Sequence, residues 1–311
     1  MKVHTVAAVL TTSLLLAVSA SQAQRGPAAA GPPPLVRENA TEKISDHVYV
    51  IPDNNVGMVP NVGIIVGTRG TLVIDTGLGA RNGQTIVREM QKVSKTPELY
   101  LATTHVHPEH DLGAAAFPPP TRMIRSQAQV KEIADSGLET AKRFSAVSPL
   151  HAELLAGAEF RPADIVFDQE QVLDLGGVRV RIIAMGYNHT RGDQAFFVEP
   201  DAILFSGDVV MTAMPNVGGS TIGKWLSSQE RFEKLQPKRI VPSHGPIGDL
   251  SLVTNYRTYL TTIQRRVAEL KRDGKTIEEA TTMVTAELQS RYPTAGGRLT
   301  GTIRAAYNEA P

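Results

Sequence analysis

The chain has 311 residues, long enough for one large domain with an appendage or for two small ones, with ample length for a real core. Its 32 basic and 31 acidic side chains leave a formal charge of +1, so no electrostatic pull favours nucleic acid or an acidic membrane surface, and the expected partner is a small molecule. No cysteine occurs, which excludes disulfides, lipoprotein attachment and thiolate ligands; any metal must be held by nitrogen and oxygen.

In chain order, Lys2 gives a short positive region, and residues 6–20 are apolar apart from Thr11, Thr12, Ser13 and Ser19. Ser21 and Ala23 then stand at the −3 and −1 places of an export-peptidase site. This pattern predicts a signal peptide over residues 1–23, too short for a stable membrane anchor, and a periplasmic or secreted mature chain beginning near Gln24. Residues 24–40 open with QRGPAAAGPPP and read as a Pro/Ala/Gly-rich linker with nothing to bury.

Beyond the linker, HVYVI, VGIIVG and TLVID are short β-branched runs cut by Gly and Asn, as in a sheet of hairpins. GQTIVREMQKVSK has helical spacing ahead of the strand LYLATTH. Residues 127–155 read as helical with a break at Pro149. Strands return at VRVRIIAM, QAFFVEP, AILFSGD and KRIVPSH, with helical character at residues 228–235 between the last two. Residues 253–273 and 277–288 predict a helical C-terminal part divided at Gly274. Three of these strands, LATTH, AILFSGD and KRIVPSH, each deliver a polar residue as the apolar run stops, where sheet-held loops collect functional groups.

Histidine is scarce, at positions 4, 47, 105, 107, 110, 151, 189 and 244, yet three fall within His105-Val106-His107-Pro108-Glu109-His110. Clustered neutral imidazoles cost desolvation and repel once protonated; a cation removes both problems. Imidazole and carboxylate are zinc-compatible ligands. In an extended segment His105, His107 and Glu109 alternate onto one side, while His110 turns to a neighbouring position. Asp111 follows directly but breaks the register. His151, in the helical insertion, and His47, before a strand, read as surface or packing residues.

HVHPEH resembles the H-x-H-x-D-H hallmark of the metallo-β-lactamase superfamily, and four further motifs follow in that family's order. VIDTG carries Asp75, NHTRGD carries His189, FSGD carries Asp208 and VPSHG carries His244. The resemblance implies an α/β fold, an αββα sandwich of two mixed sheets flanked by helices, over residues 41–252, with a helical C-terminal extension over 253–311. It also implies two zinc ions, one held by His105, His107 and His189, the other by Glu109, His110 and His244, with Asp208 bridging. Asp75 is expected to orient a ligand imidazole or its loop. The chain departs from the hallmark at Glu109, where Asp is the rule; the extra methylene reaches about 1.5 Å further. That departure puts the second zinc, though not the fold, in question.

The implied function is an exported zinc-dependent hydrolase that uses a metal-bound hydroxide to open a cyclic amide or ester, a β-lactam or a lactone. The alternatives are a thioester hydrolase, a non-catalytic metal-binding module and an iron-dependent redox enzyme of the same fold. The loops NNVGMVPN and TAMPNVGGSTIGKW are expected to wall the site, with Met58 and Trp225 as apolar contacts and Lys224 as a contact for a substrate carboxylate; core packing for Trp225 and a solvated surface for Lys224 are the stronger readings. Oligomeric state is not legible.

Overall fold

The computed structural model describes residues 31–217, 219–293 and 295–311; the signal peptide expected at 1–23 and the linker up to residue 30 lie outside the described residues. From Pro34 onward the expected linker is docked. Val36 is buried, its N–H donates to Asn82 Oδ1 at 2.7 Å, and Asn82 Nδ2 donates to the Pro34 carbonyl at 3.0 Å.

Strands β1 (Glu42–Lys43), β2 (Val48–Ile51), β3 (Val62–Val66) and β4 (Gly70–Ile74) pair antiparallel in sequence order. Parallel neighbours β5 (Glu98–Ala102), β6 (Arg122–Ser126) and β7 (Ile165–Phe167) complete a seven-stranded sheet. The second sheet has five strands: β8 (Glu170–Asp174), β9 (Arg179–Gly186), β10 (Asp193–Val198) and β11 (Ile203–Gly207), antiparallel, and β12 (Arg239–Pro242), parallel to β11.

Apolar side chains alternate inward along both sheets and meet in one shared layer, where Val50, Ile65 and Leu72 face Ile182, Phe196 and Phe205. The approach is close. A Cβ on Gly63 of β3 would lie 2.6 Å from the Phe205 ring, so only glycine fits there. On the outer face of the larger sheet, α1 (Gly79–Val93) presents Ile86 and Met90 to Ile64, Val73 and Leu101. The architecture is therefore the two-sheet sandwich flanked by helices that the motifs implied.

Parallel pairing decides where the loops emerge. Ile74 of β4 lies opposite Ala102 of β5, so Asp75 and the segment beginning at Thr103 leave the sheet side by side. In the second sheet Gly207 of β11 lies opposite Pro242 of β12, which delivers Asp208 next to Ser243 and His244.

Helices depart from expectation in three places. After His107 the extended alternation stops, because Pro108 occupies the first position of a single helical turn, α2 (Pro108–Asp111). Glu109 and His110 are thus helical neighbours. Residues 127–155 form α3 (Gln127–Glu132), a π-helical turn over Ile133–Gly137, α4 (Leu138–Ser145) and α5 (Pro149–Leu154). Pro149 starts α5 as well as ending the preceding run, with Ser148 Oγ accepting the His151 N–H as its cap.

The C-terminal part is the third departure. Helices α6 (Ile222–Leu235), α7 (Leu250–Arg272) and α8 (Ile277–Leu288) are joined by α9 (Arg298–Glu309), which the helical pattern did not predict. Its Gly301 weakens helix propensity, and the helix is held instead by burial of Leu299, Ile303 and Ala306. Val253, Tyr259, Ile263 and Ile303 join Trp225, Phe232, Leu204 and Ile240 in one cluster against the second sheet. The tail is a layer of the sandwich. Ile303→Ala should therefore lower global stability by about 2–5 kcal/mol in a single denaturant transition followed by circular dichroism; a separate early transition confined to the tail would show it to be an independent appendage.

Candidate metal centre

Asp75, buried at the end of β4, sits at φ +68°, a left-handed conformation that Asp tolerates better than most side chains. Its Oδ1 accepts the Thr104 backbone N–H at 2.7 Å, and its Oδ2 accepts the Thr104 hydroxyl at 3.0 Å and His110 Nδ1–H at 2.8 Å. With the Thr104 hydroxyl committed to Asp75, that oxygen accepts from His105 Nδ1 at 3.1 Å. His244 Nδ1 donates to the Val59 carbonyl at 3.0 Å. In each of these three rings Nδ1 carries a proton, so Nε2 is the atom left to ligate at the centre of the site.

The ligand atoms converge. His107 Nδ1 lies 3.1 Å from His105 Nε2 and 3.1 Å from His189 Nε2. Bare imidazole nitrogens repel at that spacing, whereas ligands about 2.0 Å from one tetrahedral zinc ion stand roughly 3.3 Å apart. Three groups of side chains can hold an ion: His105 with His107 and His189, Glu109 with His110 and His244, and His105 with His110 and Asp208, each set of ligand atoms within 4.8 Å. Asp208 stands between the outer two, its Oδ2 3.4 Å from His189 Nε2 and its Oδ1 3.9 Å from His244 Nε2. Glu109 Oε2, His110 Nε2 and Asp208 Oδ1 are all buried without a hydrogen-bond partner. Orphaned polar atoms beside one another carry a large desolvation cost, and a divalent cation taken up with release of the His110 proton is the group that fits them. The added methylene of Glu109 does not carry it past the cluster, since its Oε1 lies 3.8 Å from His110 Nε2.

Charge follows the same geometry. Burial, then the neighbouring rings, hold His105 and His107 well below the ordinary imidazole range, and burial also lowers His189. Burial pushes Glu109 up. For Asp208 the burial penalty is outweighed by His244, His189 and His110, which hold it down to about 2. Burial would lower His110 too, but the Asp75 carboxylate outweighs it and raises that ring to about 9. The field that draws a proton onto His110 is the field a metal ion would meet.

The Metallo-beta-lactamase superfamily profile matches residues 56–244. The chain belongs to that superfamily. Solved structures with the same fold include a stereoselective inverting sec-alkylsulfatase from Pseudomonas sp., 15% identical, TM-score 0.69, covering 86% of this chain and 50% of that one. A beta-lactamase domain protein from Burkholderia ambifaria is 18% identical, TM-score 0.63, with 88% of each chain covered. A metallo-beta-lactamase from Pontibacter korlensis is 21% identical, TM-score 0.56, covering 70% of this chain and 96% of that one. The chain thus spans half the length of the alkylsulfatase. These neighbours include, by their names, a sulfatase and a metallo-beta-lactamase, and at such identities they share the fold with this chain.

Five of the metal-ligand candidates, His107, Glu109, His189, Asp208 and His244, line a cleft of about 560 Å³, with His105 and His110 buried. Val56 and Met58 wall it from the β2–β3 loop, Phe144 from α4, and Met211 and Ala213 from the loop after β11. The Phe144 ring lies 5.2 Å from that of His107. Met58 has φ +60°, strained for an unbranched side chain and placed at the cleft wall. Trp225 is fully buried in the core behind the wall, and Lys224 leans over the Tyr187 ring at 5.7 Å; neither lines the cleft.

Other polar residues act as supports. Asp111 forms a buried bidentate pair with Arg125, at 2.5 and 2.8 Å, and so faces away from the site. His47 pairs with Asp201 at 2.9 Å, and His151 Nδ1 meets Ser148 Oγ at 2.8 Å. Asp193 was not singled out from sequence, although it closes NHTRGD. It accepts the backbone N–H groups of Asn188, His189 and Thr190 and the Thr190 hydroxyl, fixing the loop that carries His189. Thr104 and Phe144 were also missed. Arg298, which lines the cleft from α9, escaped for the same reason as its helix.

Asp75→Asn keeps the backbone preference and the shape but weakens the hold on His110, so zinc affinity measured by chelator competition should fall about 10–100-fold with little change in fold. Metal uptake should also depend on pH. His110, raised to about 9 from an ordinary 6.5, must release its proton to ligate, so affinity should increase by roughly tenfold per unit from pH 6.5 towards 9. In metal-free protein the same group's stabilisation is complete below pH 6.5 and is lost as pH rises through about 9. Calorimetric titrations in buffers of differing ionisation enthalpy would count the released proton.

Proposed function

We propose that this protein is an exported zinc-dependent hydrolase that opens a cyclic amide or ester, with a β-lactam or lactone as substrate. The observation that carries the reading is the convergence of five imidazoles and two carboxylates, three of the rings and both carboxylates lining one partly apolar cleft. Bound zinc supplies Lewis acidity towards the substrate carbonyl and lowers the pKa of water towards neutrality.

The protein's own groups account for the rest. His105, His107 and His189 form one ligand trio, and Glu109, His110 and His244 the other, with Asp208 in position to serve both. Asp75 acts at one remove, fixing the His110 ring and the start of the ligand loop. Glu109 Oε2 is unpartnered at the cleft, where it can hold the attacking water and accept its proton. Val56, Met58 and Phe144 exclude bulk water from one side and offer an apolar seat for the body of the substrate. Small size of the cleft and near-neutral net charge favour a small molecule over a polymer. No helix among the described residues is long and apolar enough to cross a membrane. Export rests on the N-terminal pattern of Lys2, the apolar run and Ala23.

A panel of a chromogenic cephalosporin, a lactone, a thioester and a sulfate ester, each with and without chelator, tests the reading. Chelator-sensitive turnover of the cephalosporin or lactone is expected; turnover of the thioester or sulfate ester alone would move the assignment, and zinc binding without any turnover would leave a binding module. Elemental analysis should find zinc, and iron with oxygen consumption would point instead to redox chemistry. His107→Ala should abolish turnover, because His107 Nδ1 is shared at 3.1 Å by two partner rings, whereas Glu109→Asp should keep or raise it. Full activity in His107→Ala would overturn the mechanism.

A further inference from the structure

We propose that Arg298 is a substrate-binding residue that takes an oxyanion, a carboxylate or a sulfonate-type group, so that the helical tail makes this enzyme prefer anionic substrates. The inference rests on the cleft being the reaction site, and it assigns the substrate class.

Arg298 opens α9 and lines the same cleft as His107, His189 and Asp208. Its guanidinium is exposed and engages the protein weakly: Nη1 reaches the Met214 carbonyl at 3.5 Å, the outer limit of a hydrogen bond. Among the described residues no carboxylate forms an ion pair with it, unlike Arg125, Arg181 or Arg266, each of which is matched to an acid. A guanidinium presents a planar fork of donors that suits a carboxylate or sulfate oxygen pair, and its donors here face a cavity.

The mounting is rigid. Thr302 Oγ1 donates to the Pro215 carbonyl at 3.0 Å, Gly301 seats against Asn216, and the Glu309 carboxylate accepts the Ile222 N–H at 2.6 Å and the Gly223 N–H at 3.3 Å. Helix α9 is thereby locked both to the wall that follows β11 and to the start of α6. An arginine on a fixed helix loses less freedom on binding than one on a loop. A second cation on the neighbouring helix, Arg143 of α4, does not line the cleft, and its guanidinium lies over the Phe144 ring at 5.8 Å. The arrangement selects a ligand with an apolar body for Met58 and Phe144 and an oxyanion for Arg298.

The test is binding to the zinc-loaded full chain, by calorimetry, of three probes of one shape: phenylacetate, phenylmethanesulfonate and the neutral phenylacetamide. Wild-type protein should bind at least one acid more tightly than the amide, and Arg298→Ala should weaken that acid by roughly 10–100-fold while leaving the amide within about twofold. Arg298→Lys should keep part of the preference, and the acid that depends more on Arg298 identifies the oxyanion. Equal thermal unfolding of wild type and variants guards against misfolding, and Arg231→Ala, remote from the cleft, serves as control. The proposal is overturned if wild type shows no preference for either acid, if the preference survives Arg298→Ala or follows Arg143→Ala instead, or if acid and amide weaken together. Turnover of the substrate panel without an Arg298-dependent preference would refute this assignment alone; the preference without turnover would refute the hydrolase reading alone.

Discussion

The Asp75 carboxylate is the contact on which the site depends. It lies at the end of one strand and accepts three hydrogen bonds from residues that follow the adjacent parallel strand. Two of these fix the backbone and hydroxyl of Thr104, and the third fixes the His110 ring and its tautomer. Because the Thr104 hydroxyl in turn meets His105 Nδ1, one buried carboxylate sets two imidazoles with their Nε2 atoms inward. Its left-handed backbone is part of this arrangement, since it turns the chain sharply out of β4 and brings the carboxylate back against β5.

Sheet geometry extends this control to the other ligand candidates. His189 follows β9, Asp208 follows β11 and His244 follows β12, so rigid strands define the starting point of every loop. Short loops cannot wander far from such anchors, and local hydrogen bonds complete the placement: Asp193 holds the backbone at His189, and the Val59 carbonyl holds His244. The pairs of strands that meet in register, β4 with β5 and β11 with β12, contribute groups from opposite sheets to one cleft. Close approach of the two sheets, with Phe205 against Gly63, keeps these two groups of loops within ligand distance.

Much of this was legible in the sequence because ligand chemistry is restrictive. A chain without cysteine that places three histidines within six residues, and further His and Asp residues at strand ends, leaves few alternatives to a metal centre. The main strands were legible through β-branched runs bounded by Gly and Asn. Less visible were elements whose conformation is decided by partners. Strand β6 contains Arg122 and Arg125, and its charge masks a buried strand until Asp111 is seen to neutralise Arg125. Helix α9 contains Gly301, unfavourable by propensity, and forms because Leu299, Ile303 and Ala306 are buried against the rest of the fold. The turn at Pro108 defeated an alternation argument: a proline that looks compatible with extended chain instead starts a helix and turns Glu109 and His110 onto adjacent faces.

The missed helix changes how the domain is divided. Drawn from sequence, the boundary near residue 252 separates a catalytic sandwich from an extension with no evident task. In the fold, α7 and α9 share an apolar cluster with the second sheet, α9 carries bonds to the Pro215 carbonyl and the α6 N-terminus, and Arg298 reaches the cleft. The wall after β11, residues 211–216, has no regular secondary structure of its own and little intrinsic stiffness. Backed by a helix whose own core residues are fully buried, it acquires the stability of the whole sandwich. The tail therefore couples cleft shape to global folding, and a substitution far along the chain, at a position with no contact to a ligand candidate, alters the surface a substrate meets.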